Sequence, residues 1–371
     1  MAYSEQQVLD ALKAVKHPET AQDIVSMGMV DNIWIKGSKA GFTLNFKRAN
    51  EPFMGSMPKV CIQILENKFG KELDFNGNIK VAAPQKKNQQ ENNTAEIMKN
   101  VKNIIAVASG KGGVGKSTIA TNLAIALAKT GAKVGLIDAD IYGPSMPKMF
   151  NLEGKRPKVE KVNEVDIITP LESFGVKVLS IGLFINPEDA LVWRGAMATS
   201  ALKQLIHQGD WGELDYLLFD LPPGTSDIHL TLVQELAVTG AVIVSTPQDV
   251  ALADAIKGIK MFTGKHINVP ILGLIENMAW FTPEELPDNK YYIFGKDGCK
   301  KLAEKENISL LGQIPIVQGI REGGDAGKPV ADDDKSVLGN AFKDLAAAVI
   351  KATENRNSNI EPTKKVEIKT K

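Results

Sequence analysis

The run Ile104-Ile105-Ala106-Val107-Ala108, leading straight into Gly110-Lys111-Gly112-Gly113-Val114-Gly115-Lys116-Ser117-Thr118, constrains this chain more than anything else in it. A continuous apolar run of that length is expected of a parallel strand buried on both faces. The loop has Gly-x4-Gly-Lys-Ser spacing, and a helical pattern over Ser117–Lys129 starts at once and ends before Gly131. Strand, glycine loop and helix in that order make a phosphate cradle. The glycines let successive backbone N–H groups face a β-phosphate, and the helix N-terminus adds its partial positive charge. In this geometry Lys116 reaches the β- and γ-phosphates, Ser117 gives its hydroxyl to Mg²⁺, and Thr118 lies beside the α-phosphate.

The rest of the chain repeats the strand–helix alternation. Apolar runs recur at Lys133–Asp138, Tyr216–Asp220, Ala241–Thr246, Ile271–Glu276 and Leu310–Ile314. Helical segments between most of them predict an α/β fold with a doubly wound, mostly parallel sheet. The stretch Asp166–Leu183 reads as a hairpin-like excursion turning at Phe174-Gly175. Ahead of this comes a small α+β domain over 1–83. Its first helix carries Val8, Leu9, Leu12 and Val15 and closes at His17-Pro18; strands follow over Met29–Ile35 and Gly41–Phe46. A helix over Ser56–Phe69 and a short strand at Ile79–Val81 complete it. Residues 84–100 contain the polar stretch Gln85–Thr94, which has no apolar period and reads as a flexible linker. The ATPase domain is expected over 101–352, and 353–371 reads as a disordered tail because no apolar face is evident.

Composition narrows the partners. Lys+Arg and Asp+Glu are equal at 44 each, so the basic excess of a nucleic-acid binder is missing. The chain opens without a signal-peptide pattern and contains no apolar stretch long enough to span a bilayer. Two cysteines, Cys61 and Cys299, cannot form a disulfide framework or a Cys-rich zinc module within one chain. The expectation is a reduced, cytoplasmic protein with no nucleic-acid or membrane partner.

Two more elements belong near the γ-phosphate. Asp138 and Asp140 stand at the carboxyl end of the second strand, where open α/β sheets place ligand-binding groups. Asp220 ends the run Tyr216-Leu217-Leu218-Phe219 and is expected to hold Mg²⁺ through water. Pro222-Pro223-Gly224 follow, and the Gly224 N–H can turn towards a γ-phosphate and away again, so this loop is the expected switch. The histidines His17, His207, His229 and His266 are scattered without metal-ligand spacing and receive no role.

The string Lys111-Gly112-Gly113-Val114-Gly115-Lys116-Ser117-Thr118 resembles the deviant Walker A motif of the MinD/ParA/nitrogenase iron protein class. That resemblance implies a nucleotide-sandwich homodimer in which Lys111 reaches the partner's phosphates, a role akin to an arginine finger. It also implies that Asp140 orients the attacking water, that Asp138 supports Mg²⁺ and its waters, and that Asn277 of Glu276-Asn277-Met278 meets the adenine. Lys111, Lys116 and Asp140 are then the catalytic set.

Longer blocks narrow the likeness. Val192–Met197, Trp211–Tyr216, Asp220–Thr225, Asp138–Ser145, Gly312–Pro315 and Arg321–Pro329 are similar to the Mrp/ApbC family of iron–sulfur cluster carrier ATPases. Asp23–Val30 is similar to the small iron–sulfur-assembly domain commonly fused to them. The family implies an ATP-hydrolysing, nucleotide-gated homodimer that passes a [4Fe–4S] cluster to apoprotein clients. Its usual Cys-x-x-Cys after Glu-Asn-Met is missing here, since that segment reads Met278-Ala279-Trp280-Phe281-Thr282-Pro283. The small domain's turn has no cysteine either, reading Arg48-Ala49-Asn50-Glu51-Pro52. Cys299 is left as the candidate cluster ligand. The alternative is an ATP-dependent dimer switch or scaffold, of MinD/ParA type or a metalloprotein chaperone, without a cluster of its own. An electron donor of the nitrogenase iron protein kind requires a redox cluster, and the missing cysteine pair counts against it.

Overall fold

In the computed structural model the chain separates into two units, Met1–Asn93 and Thr94–Lys371. The described residues are 3–18, 20, 22–46, 53–70, 72–82, 98–185, 195–283, 285–286 and 288–366. The expected linker therefore lies outside the described residues except for a turn at 98–100, as do Arg48–Pro52, Val192-Trp193-Arg194 and 367–371.

In the first unit, Ser4 starts helix α1 (Glu5–Leu12) with a capping box: Ser4 Oγ accepts from the Gln7 N–H, and Gln7 Oε1 accepts from the Ser4 N–H. The helix buries Val8, Ala11 and Leu12. Strands β1 (Val30–Lys36) and β2 (Lys39–Asn45) pair antiparallel around Gly37-Ser38. Helix α2 (Met57–Phe69) turns Met57, Cys61, Leu65 and Phe69 inward at helical spacing. Strand β3 (Ile79–Ala82) then joins β2 in parallel, giving the order β1-β2-β3.

The second unit begins with β4 (Val101–Ala108), α3 (Lys116–Lys129), β5 (Val134–Asp138) and the short α4 (Met146–Met149). A separate antiparallel ribbon, β6 (Lys158–Val162) with β7 (Val165–Thr169), precedes β8 (Leu171–Ser173) and β9 (Val176–Ser180). Then come α5 (Gly195–Gln208), β10 (Leu214–Asp220), α6 (Asp227–Glu235), β11 (Gly240–Ser245) and α7 (Asp249–Thr263). The chain continues with β12 (Ile271–Phe281), α8 (Gly298–Glu306), β13 (Leu310–Ile316), α9 (Gln318–Asp325) and α10 (Val337–Asn359). The main sheet has eight strands in the order β13-β12-β11-β4-β10-β5-β9-β8, parallel except for the β8–β9 hairpin.

Alternation along β4 explains the two layers. Ile104, Ala106 and Ala108 face a core built with α5, α6 and α7, whereas Ile105 and Val107 face one built with α3 and α10. Both faces are covered, as a parallel sheet requires. The fold is the doubly wound α/β architecture that the alternating pattern predicts, with a small α+β unit before it.

Three segments differ from expectation. The stretch turning at Phe174-Gly175 is no excursion, because β9 pairs with β5 and extends the main sheet by two strands. Strand β12 runs five residues past the apolar run, since Phe281 still pairs with Ile316 of β13 and exchanges backbone hydrogen bonds with Tyr291. The tail expected to be disordered from 353 is helical to Asn359 and described to 366. Its anchors are polar: the Thr353 hydroxyl donates to Val349 O, and the buried Arg356 guanidinium donates to Ile360 O, Glu361 O and the Thr363 hydroxyl. An arginine in the last turn caps the free carbonyls of the helix end. The Val366 N–H then donates to Val233 O, beside α6. Among the described residues no helix is long and apolar enough to cross a membrane.

Candidate functional site

The loop 109–115 leaves the central strand β4, whose neighbours β10 and β11 hold it from both sides. Register then fixes the carboxylates. Asp220 of β10 is paired with Val107 of β4 on one side and with Asp138 of β5 on the other. Three adjacent parallel strands thus end together, and their last residues surround the first turn of α3.

Lys116 lies at the centre. Its Nζ donates to Asp220 Oδ1 at 2.6 Å, stands 3.8 Å from Asp140 Oδ2, and lies 3.3 Å from Ser117 Oγ. The Ser117 hydroxyl donates to the other Asp220 oxygen at 2.6 Å. Asp138 is fully buried and accepts from the Asp140 N–H, the Met146 N–H and the Ser180 hydroxyl. Burial, and the Asp220 charge next to it, push the Asp138 carboxyl well above the usual carboxylate range. Burial also raises Asp140, against the opposing pull of Lys116.

Two glycines are dictated by contact. A Cβ on Gly110 would sit 2.1 Å from the Asp254 carbonyl carbon of α7, so that helix leaves room for hydrogen only. Gly115 caps α3 with φ 80°, and a Cβ there would sit 2.3 Å from Asn277 Nδ2. Gly110→Ala is expected to cost about 2–3 kcal/mol by overpacking, read as a lowered melting temperature together with weakened ADP binding.

The remaining expected residues fall into three groups. Asn277, on β12, donates from Nδ2 to Val114 O at 2.8 Å, which brings it onto the phosphate loop. Pro223 approaches Gly112, and the Gly224 N–H donates to Ser109 O at 2.8 Å, so the Pro222–Gly224 loop is docked on the same loop. Gly112, Gly113 and Val114 complete the curl, and Thr118 follows in the first turn of α3. Lys111 stands apart: it is exposed, with no ion-pair partner among the described residues.

Cys299 does not join the site and does not reach the surface. Its side chain is fully buried, its N–H donates to Glu276 Oε2 at 2.6 Å, and its Sγ faces Thr246 O at 3.9 Å. Burial and the Glu276 charge push the thiol up to about 12. That environment opposes the thiolate a cluster ligand needs. Cys61 is likewise buried in the other unit, and burial pushes its thiol up to about 12. Among the described residues no group of three or more His, Cys, Asp or Glu side chains is arranged to hold a metal ion.

Sequence reasoning missed Ser180, Glu276 and His229. Ser180 ends β9, the strand read as an excursion, and supports Asp138. Glu276 is wholly buried and pins the start of α8 and Gln313 of β13 to the strand that carries Asn277. His229 bonds the backbone N–H of Ser226 through Nδ1 at 3.2 Å. The Ser-x-x-His spacing ahead of an apolar helix was the available signal, a variant of the capping box.

Burial, with the Lys116 charge added, pushes His229 down to about 4 from an ordinary 6.5. A depressed base favours the fold while it stays neutral. Its contribution is fully present above about pH 6.5 and is lost as the pH falls through about 4, on the order of 3 kcal/mol. Melting temperatures of the nucleotide-free protein from pH 7.5 to 4 are expected to fall more steeply for wild type than for His229→Gln.

Comparison with known proteins shows the family. Residues 100–350 match the model of the NUBPL iron-transfer P-loop NTPases, and residues 5–70 match that of iron-sulfur cluster assembly proteins. An iron-sulfur cluster carrier protein of Synechocystis sp. is 42% identical over 325 residues, 87% of this chain and 90% of the relative. The iron-sulfur cluster transfer protein NUBPL of Dictyostelium discoideum is 46% identical over 266 residues, 71% of this chain and 81% of the relative. Among solved structures, the nucleotide-binding protein of Archaeoglobus fulgidus in complex with ADP superposes with TM-score 0.58 and 36% identity, covering 68% of this chain and 96% of that one.

Proposed function

The chain belongs to the family of NUBPL iron-transfer P-loop NTPases, and from that premise we propose that it is a Mg²⁺-dependent ATPase that works as a nucleotide-gated homodimer and carries iron–sulfur clusters to apoprotein clients. The observation that carries the proposal is the convergence of Lys116, Ser117, Asp138, Asp140 and Asp220 on the first turn of α3.

The contacts among these residues support a task for each. Lys116 is hydrogen-bonded to Asp220, so ATP binding has to draw its ammonium from that carboxylate to the β- and γ-phosphates. That exchange frees Asp220 Oδ1 and leaves the Ser117 hydroxyl beside Oδ2. The donor set is all oxygen, as Mg²⁺ prefers; Ser117 would hold the ion directly, and Asp220 and Asp138 would hold it through water. Bound Mg²⁺ supplies charge neutralisation at the phosphate oxygens. Asp140, half-buried at the rim, orients the attacking water. The Gly224 N–H trades Ser109 O for the γ-phosphate and returns when hydrolysis removes it. Exposed Lys111 acts on the phosphates of the second protomer. Free thiols in both units fit a reducing, cytoplasmic setting.

The cluster is cargo, and its seat is the point to test. Anaerobic reconstitution of wild type and Cys299→Ser with iron and sulfide, followed by iron quantification and visible absorption, reads it directly. Cluster bound by the wild type is the expected result. Its loss in Cys299→Ser requires α8 to open and release the thiol, whereas retention removes Cys299 from the ligand set. ATPase activity with no iron bound by either protein overturns the carrier reading and leaves a nucleotide-driven dimer switch.

A further inference from the structure

His229 is the buried titratable group beside the nucleotide site that the proposed mechanism leaves without a task. It stands in the first turn of α6, three residues after Ser226, and is 1% exposed. Its ring packs against Phe262 of α7, with centroids 6.2 Å apart. Nδ1 receives the Ser226 N–H at 3.2 Å and lies 3.1 Å from Ser226 Oγ. With that N–H directed at it, Nδ1 is the bare nitrogen, and the ring hydrogen belongs to Nε2. Nε2 is buried with no hydrogen-bond partner among the described residues. Burial and the Lys116 charge keep the ring neutral across physiological pH.

The bond to Ser226 completes a set of three restraints on one short loop. At its start, the Asp220 carboxylate is held by Lys116 and Ser117. In its middle, the Gly224 N–H is held by Ser109 O. At its end, the Ser226 N–H is held by His229. The first two restraints are the ones ATP replaces, since both involve groups that turn to phosphate. The third lies at the far end of the loop, in the first turn of α6, where the ring also packs against Phe262. Pro222 and Pro223 stiffen the loop, so a displacement of Gly224 has to be absorbed at Thr225 and stopped at Ser226.

We propose that His229 is a positioning residue for ATP hydrolysis, fixing Ser226 so that the Gly224 N–H swings between Ser109 O and the γ-phosphate about a stationary end. The proposal rests on the reading of Pro222–Gly224 as the nucleotide-responsive loop. A rigid ring sealed in an apolar wall offers one acceptor in one direction, which a solvated cap would not. The Ser226 N–H on Nδ1 and the Phe262 ring together set the orientation of the imidazole within the wall.

The test uses the full chain and the variants His229→Leu, which keeps the apolar wall, and His229→Gln, which can accept the same N–H. Steady-state ATP hydrolysis, calorimetric ADP titration and hydrogen exchange of 221–228 with ADP or a non-hydrolysable ATP analogue are the readouts. His229→Leu is expected to lose about tenfold in kcat with KM and ADP affinity within about twofold, and to exchange faster at 225–226. His229→Gln is expected to recover kcat to within about threefold of wild type. Wild-type kcat in His229→Leu, or equal losses in both variants, overturns the proposal. Parallel losses of kcat and ADP affinity do so as well, by reducing His229 to wall packing. Should His229→Leu not fold, His229→Asn, whose acceptor is too short to reach Ser226, takes its place with the same expectation. A distinct result tests the underlying reading: if wild-type exchange over 221–226 is the same with ADP and the ATP analogue, the loop does not respond to the γ-phosphate.

Discussion

Lys116→Ala is expected to abolish measurable nucleotide binding, with ADP affinity falling more than about 100-fold. The side chain is 6% exposed and touches two carboxylates, so its loss acts twice. The phosphates lose their cation, and Asp220, wholly buried, loses its only ion pair among the described residues. Stranding one partner of a buried pair costs about 3–5 kcal/mol, so the melting temperature of the nucleotide-free protein should fall as well. Calorimetric titration with ADP, beside a thermal melt, checks both effects. Binding within about tenfold of wild type would show that the backbone cradle, not the ammonium, supplies the affinity.

Lys111→Ala is expected to behave in the opposite way. ADP affinity stays within about threefold, because this exposed side chain touches none of the carboxylates around Lys116. Hydrolysis falls by about 10³, the lower end for a cation supplied in trans, and the ATP-bound protein remains monomeric by light scattering. Losing nucleotide binding to the same degree as Lys116→Ala would remove the trans role. Mixing Lys111→Ala with a hydrolysis-dead Asp140→Ala protomer sharpens the result, since a trans lysine predicts partial recovery in the mixed dimer.

Much of this is legible in the sequence. The phosphate loop, the strand-end carboxylates Asp138 and Asp220, and the parallel sheet all announce themselves through local pattern, because apolar run, glycine spacing and helix start lie within a few residues of one another. What stayed hidden depends on partners far along the chain. Ser180 supports Asp138 from a strand whose short segments read as a hairpin, and only the pairing of β9 with β5 reveals it. Glu276 ends an apolar run like many surface turns do, and nothing nearby says that the N-terminus of α8 lies on it. Cys299 is the candidate ligand in the sequence only because the family's cysteine pair is missing, and nothing around it in sequence tells of its burial. The structure buries Cys299 at the start of α8, with its Sγ towards Thr246 O. The last helix was cut short because its anchors, Thr353 and Arg356, are polar and leave no hydrophobic signature.

The position of β4 at the middle of the sheet has a consequence for how the protein is born. Its loop is synthesised early in the second unit, but the strands that flank it, β10 and β11, end at Asp220 and Ser245. While the ribosome is still making that intervening stretch, the glycine loop has neither the Asp220 carboxylate nor the α7 backbone that shapes Gly110. The cradle closes only when contacts more than a hundred residues apart have formed. A stall before residue 245 therefore leaves an apolar strand waiting for neighbours that have not yet been made.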